Sequence, residues 1–195
     1  MTIGLGILWM ILEPLWRESH YPPSTQTRRG ILVSPVERGK APLDKDKASN
    51  FLVDAIIQIE SQGNPNMVGG IGERGLMQIR ESTWNQVSKK HFGQTIPFDR
   101  AFEAALNRQV GRYYLGDLQL LLYKNRSEWK SDLRSLLLAS YNAGPERVRA
   151  SGFNLSRLPK KVQSYASRGS ALHDWYLEEE SQKLHRILTE AGNVD

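Results

Sequence analysis

With 195 residues, 39% of them hydrophobic and 24% charged, the chain is long enough for one domain with a sizeable core plus extensions, and it is composed unlike a disordered or fibrous protein. It contains no cysteine, which excludes a disulfide framework and thiolate chemistry without fixing the redox compartment. The net charge of +5 is concentrated: residues 47–170 carry 18 basic against 10 acidic side chains, residues 1–46 carry 6 against 5, and residues 171–195 carry 2 against 6. The middle of the chain would therefore attract a polyanion, which leaves nucleic acid, an anionic membrane and an acidic cell-wall polymer as partners to be separated by other means.

Residues 1–18 open with an almost wholly apolar run, Met1 to Leu12, stopped by Glu13-Pro14. About 12 residues fall short of the ~20 needed to cross a bilayer as a helix. The run has the length of a signal-peptide core, but no Lys or Arg precedes it and no clear small-residue cleavage site follows closely. A secretion signal, a membrane-surface anchor and a plain packed helix all fit. Residues 19–47, with Pro22-Pro23, Pro35 and Pro42 and little periodicity, read as a linker.

From a cap at Ser49, the positions Phe51, Leu52, Ala55, Ile56 and Ile59 mark one helical face that ends in Glu60. The turn cluster Ser61-Gln62-Gly63-Asn64-Pro65 follows at once. A carboxyl at a helix C-terminus meets the negative end of the helix dipole, and the neighbouring isoleucines desolvate it. Both effects favour the protonated form, the form a general acid needs, so Glu60 is the first candidate for chemistry. Next comes a glycine-rich loop, Gly63 to Gly75, which lacks both the lysine and the preceding strand of a phosphate-binding loop. Further helices are expected around Trp84 and Val87 with Ser82 as cap, from near Asp99 to Tyr123, and from Ser131 to Tyr141. Gly111 and Gly116 inside the long helix suggest close packing there. Asn142-Ala143-Gly144-Pro145 is a break, Pro159 opens a helix through Val162 and Tyr165, and a last amphipathic segment runs from Leu172 to Leu188. No alternating run supports a sheet, so the expected class is all-α.

Four stretches join polar or aromatic side chains to turn residues at helix ends: Glu60-Ser61-x-Gly63-Asn64-Pro65, Gly75-Leu76-Met77-Gln78-Ile79, Ser140-Tyr141-Asn142-Ala143-Gly144-Pro145, and Pro159 through Tyr165. Together, in this order, and with Asn107, Gly111, Tyr114 and Leu115 between them, they resemble the family 1 soluble lytic transglycosylases, which share a fold with goose-type lysozyme. The resemblance covers about residues 48–170 and implies a lysozyme-like helical domain with a substrate groove, followed by a C-terminal amphipathic helix over 171–195. It makes Glu60 the single catalytic acid/base, with Met77, Gln78, Tyr141, Asn142 and Tyr165 around the sugar. Amides and phenols suit hydroxyl and acetamido groups, and aromatic rings offer apolar surface to a sugar face. Each position also has a plainer reading: Tyr141 and Tyr165 as core residues with satisfied hydroxyls, Met77 as packing, and Asn142 as a helix C-cap.

The implied reaction is cleavage of the β-1,4 bond between N-acetylmuramic acid and N-acetylglucosamine, leaving 1,6-anhydromuramic acid ends. A hydrolytic lysozyme-type muramidase and a non-catalytic glycan-binding module are the alternatives. No metal or cofactor is implied, and His20, His91, His173 and His185 show no metal-ligand spacing. The expected partner is the glycan strand of peptidoglycan, met by a monomer in the cell envelope or periplasm, with membrane association through the N-terminus an open option. No sequence pattern supports nucleic-acid binding. Three departures from the family pattern stand out: Gly69 replaces a serine, Glu73 an alanine, and Arg80-Glu81 a segment that usually carries proline. A second carboxylate at Glu73 would raise the proton affinity of Glu60 or activate water as a base; the plainer reading leaves it solvated or paired with Arg74.

Overall fold

In the computed structural model, which describes residues 45–191, six α-helices and three short 3-10 turns surround one apolar core, and the described residues contain only isolated β-bridges. The first helix, α1 (Lys45–Glu60), is already formed at Lys45, a turn ahead of the cap expected at Ser49, and it stops at Glu60 as its breaker residues require. Val53, Ala55 and Ile56 turn inward from it. The apolar segment 1–18 and the linker to residue 44 lie outside the described residues.

Helix α2 (Glu81–Phe92) has Arg80 at its N-cap position, so Ser82 lies within its first turn and is not its cap. Trp84 is fully buried, and its indole N–H donates to the Ile96 carbonyl at 2.8 Å. The long helix expected from Asp99 is divided: a 3-10 turn over Phe98–Phe102 precedes α3 (Ala104–Tyr123), with Glu103 extended between them. Along α3, Asn107, Val110, Gly111, Leu115, Leu118 and Leu122 form one buried stripe. Gly111 fulfils the expectation of close packing, because a Cβ there would stand 2.1 Å from the Met77 sulfur. Gly116 does not, because a Cβ there would meet only open space.

Helix α4 (Leu133–Ala143) is capped by Asp132, whose carboxylate accepts the Ser135 N–H at 2.9 Å. Leu136 through Ser140 are all buried, which makes α4 the central helix. Gly144 ends it, and Pro145 occupies the first turn of a short helix, α5 (Pro145–Ala150), that the break there concealed. The two segments expected beyond Pro159 form one helix, α6 (Lys160–Ala191), of 32 residues. Val162, Tyr165, Ala166 and Gly169 give it an inward stripe, and Gly169 lets it approach the Leu138 side chain on α4. Helices α1 and α4 both pack on α6. Ion pairs join Arg108 of α3 to Asp54 of α1 and Arg134 of α4 to Asp174 of α6, each at 2.5 Å.

Candidate active site

The site forms where α1 stops. Ser61 closes the helix and is itself buried, and its hydroxyl donates to the Leu76 carbonyl at 2.7 Å. The loop that leaves the helix is thereby fastened, 15 residues later, to the segment bearing Met77 and Gln78. Gln62 and Gly63 adopt left-handed backbone (φ 54° and 81°), which turns the chain sharply away just beyond Glu60.

The loop is held from beneath by Asn107 of α3. This buried amide accepts the Met77 N–H at 2.9 Å and donates to the carbonyls of Arg74 and Ala101 at 3.0 and 2.8 Å. Gly75 lies so close that a Cβ would fall 2.1 Å from the Ala101 carbonyl, and its φ of 78° is one that glycine supplies. The Met77 side chain is fully buried against Gly111 and therefore packs, while its carbonyl accepts the Tyr141 hydroxyl at 2.7 Å. Gln78 has φ 46°, and its amide donates to the Met67 and Gly75 carbonyls at 3.0 and 2.9 Å. Those two bonds fix the side-chain nitrogen inward on the loop and leave Oε1 on the other side, toward Gly69.

Across from the loop, α6 presents Tyr165, whose hydroxyl donates to Glu60 Oε1 at 2.7 Å. Tyr141 comes from the last turn of α4, with its ring 5.5 Å from that of Tyr114. Asn142 is half-buried beside it, inside α4; Gly144 terminates the helix, so Asn142 is not its C-cap. The structure thus links Met77 to Tyr141 and Glu60 to Tyr165 by direct hydrogen bonds, holds Gln78 on the same loop as Met77, and places Asn142 adjacent to Tyr141 in the same turn.

Burial is the chief reason that Glu60 holds its proton above the ordinary carboxyl value. The Tyr165 hydrogen bond opposes it, the Glu73 charge adds to it, and the Lys161 charge opposes it. Tyr141 and Tyr165 are pushed well above the usual phenol range, first by burial and then by the charge of Glu60, so both hydroxyls remain donors. Glu73 behaves oppositely to Glu60. Burial alone would raise it, but its own backbone N–H, that of Ile71, and Arg80 together hold it below the ordinary value. Its partner is Arg80 (3.4 Å), not Arg74, which pairs with Asp99 at 2.6 Å and lies 4.4 Å over the Phe98 ring.

Two further residues, Ser61 and Asn107, support the site by holding its loop. Ser61 is recognisable in sequence only as part of a turn cluster. Asn107 stands out as an amide on an otherwise apolar stripe, which is the signal that could have marked it as a buried anchor.

Fold and site define a class: an all-helical, lysozyme-like domain with one half-buried carboxylic acid set between a glycine-rich loop and two tyrosine hydroxyls. Residues 40–163 match the family model described as the transglycosylase SLT domain, and the chain belongs to that family. It is 30% identical over 149 residues to the membrane-bound lytic murein transglycosylase C of Yersinia enterocolitica, covering 75% of this chain and 39% of the relative. The chain thus spans about two fifths of that relative's length. Among solved structures, an inactive glutamate-to-glutamine variant of the lytic transglycosylase Slt from Pseudomonas aeruginosa superimposes with a TM-score of 0.56 at 22% identity, over 72% of this chain and 23% of that one. The 70 kDa soluble lytic transglycosylase of Escherichia coli gives 0.52 at 24% identity, over 69% and 24%. At these identities the two structures establish the likeness of fold.

Proposed function

We propose that the protein is a peptidoglycan lytic transglycosylase whose single acid/base is Glu60, acting within residues 48–170. The observation that carries this reading is the environment of Glu60: a half-buried carboxyl at a helix terminus, with raised proton affinity and with Tyr165 fixing one of its oxygens. Family membership supports the reaction class. A proton from Glu60 passes to the glycosidic oxygen as the bond from C1 of N-acetylmuramic acid breaks. The carboxylate left behind then takes the proton of the muramyl 6-hydroxyl while O6 bonds to C1. The proton returns to Glu60, no water is consumed, and the product end is 1,6-anhydromuramic acid.

The surrounding residues suit this cycle. Tyr165 steadies the carboxyl in both its states, donating to whichever form is present. Tyr141 braces the Met77 carbonyl, and Gln78 and Asn142 supply amide groups to hydroxyl and acetamido substituents. Location follows from the polymer, which places the protein in the cell envelope. Attachment through residues 1–18 is supported by their apolar sequence and by the name of the membrane-bound relative. Glu60→Gln tests the assignment: cleavage of purified glycan strands falls by about 100-fold or more, as expected when a general acid is removed. A variant that cleaved normally would contradict it.

A further inference from the structure

Glu73 is held by more interactions than a surface carboxylate needs. Its side chain is 18% exposed, Oε2 accepts the Ile71 N–H at 3.1 Å, and Oε1 lies 3.4 Å from the Arg80 guanidinium nitrogen. The seat exists because position 69 is glycine. A Cβ on Gly69 would stand 2.5 Å from Glu73 Oε2 and 2.7 Å from Gln78 Oε1, so any side chain there would displace the carboxylate. The Gly69 N–H also donates to the Glu73 carbonyl at 2.8 Å, which fixes the backbone on both sides of the seat. Gly69 and Glu73 are therefore one coupled feature: the small residue creates the space that the acid fills.

We infer that Glu73 is a positioning residue of the active site, its carboxylate seated in the space left by Gly69, next to Gln78, so that its charge acts on Glu60. The inference rests on Glu60 being the acid/base proposed above.

The groups around Glu60 decide the sign. From α6, Tyr165 donates a hydrogen bond and Lys161 contributes positive charge, both favouring the carboxylate; Arg168 lies beside Tyr165. From α4, Tyr141 is neutral. From the loop, Glu73 contributes negative charge, partly offset by Arg80. Glu73 is thus the one charged group in this set that keeps the proton on Glu60, in support of the burial that does most of that work. Glu73 itself stays ionised where Glu60 needs to be neutral, because Ile71, its own N–H and Arg80 lower it. Glu60 donates its proton only while protonated, so cleavage fails as pH rises through its pKa. Removing the Glu73 charge brings that failure to lower pH.

The test uses the full chain with carboxyl-13C glutamate and follows the Glu60 carboxyl resonance with pH in the wild type, Glu73→Gln and Arg80→Gln. In Glu73→Gln the substituted amide keeps an acceptor for the Ile71 N–H, while the negative charge and the acceptor facing Arg80 are lost. The Glu60 midpoint is expected to move to lower pH in E73Q, with the alkaline limb of kcat/KM on glycan strands moving the same way, and not to fall in R80Q, where a neutralising charge is lost. A midpoint in E73Q that stays put or rises, or a fall in both variants, would overturn the inference, since loss of loop packing would act alike in the two. Failure of the underlying reading looks different: a wild type that cleaves no glycan at any pH, with the carboxyl titration still responding to E73Q.

Discussion

Glu60 is placed against its own electrostatic preference, and this has a consequence for stability. The folded chain binds the Glu60 proton more tightly than an unfolded chain whose carboxyl has the ordinary value of 4.5. The stabilisation linked to that proton is complete below the unfolded value and is lost as pH rises through the folded one, so above the folded value an ionised Glu60 is a cost. Glu60→Gln is accordingly expected to stabilise the protein by about 1 kcal/mol at pH above the folded value, with the gain vanishing in acid, where the wild-type carboxyl is also neutral. Urea unfolding at the two pH values checks it, and a gain independent of pH would contradict it. The residue is legible in sequence because the two causes, a helix end and apolar neighbours, are local. Ser61 and Asn107 are not legible in the same way. Their partners, Leu76 for one and Arg74 and Met77 for the other, lie 15 to 33 residues away, and only the folded loop brings them together.

At the scale of elements, α3 contains its own control experiment. Gly111 and Gly116 are five residues apart in one helix, yet one faces the Met77 sulfur and the other faces open space. Gly111→Ala is expected to cost about 1–3 kcal/mol through overpacking of a buried side chain. Gly116→Ala is expected to gain up to about 1 kcal/mol from helix propensity alone. Denaturant midpoints of the two variants should move in opposite directions, and equal shifts would mean that α3 does not pack on the loop as described. The sequence pattern suggests close packing at both positions because a glycine carries no mark of the face it occupies. The same limit explains the helix boundaries. Pro145 is legible as a stop, but a proline that cannot continue one helix is well suited to begin the next, and α5 begins there. Gly169 interrupts the apolar pattern between Tyr165 and Leu172, yet α6 continues through it because the missing Cβ admits Leu138. The C-terminus of α1 is legible and its start is not, since Ser49 suits a cap equally well when no cap is needed.

Across the whole molecule, the segment 47–170 that carries the excess of basic side chains also carries Glu60, and the family match turns an unspecific attraction for polyanions into a reading toward the cell wall. Among the described residues no helix is long and apolar enough to cross a membrane. A lytic transglycosylase and a hydrolase differ in where C1 of the broken glycosidic bond finds its new partner. In the proposed cycle that partner is the 6-hydroxyl of the same sugar, with Glu60 moving one proton out and one back. Complete digestion of purified peptidoglycan by the full chain, followed by mass spectrometry of the muropeptides, reads this directly. Muramyl ends lighter by one water than reducing ends are expected, as an intramolecular 1,6-anhydro ring requires. Reducing ends, formed by uptake of water, would contradict it.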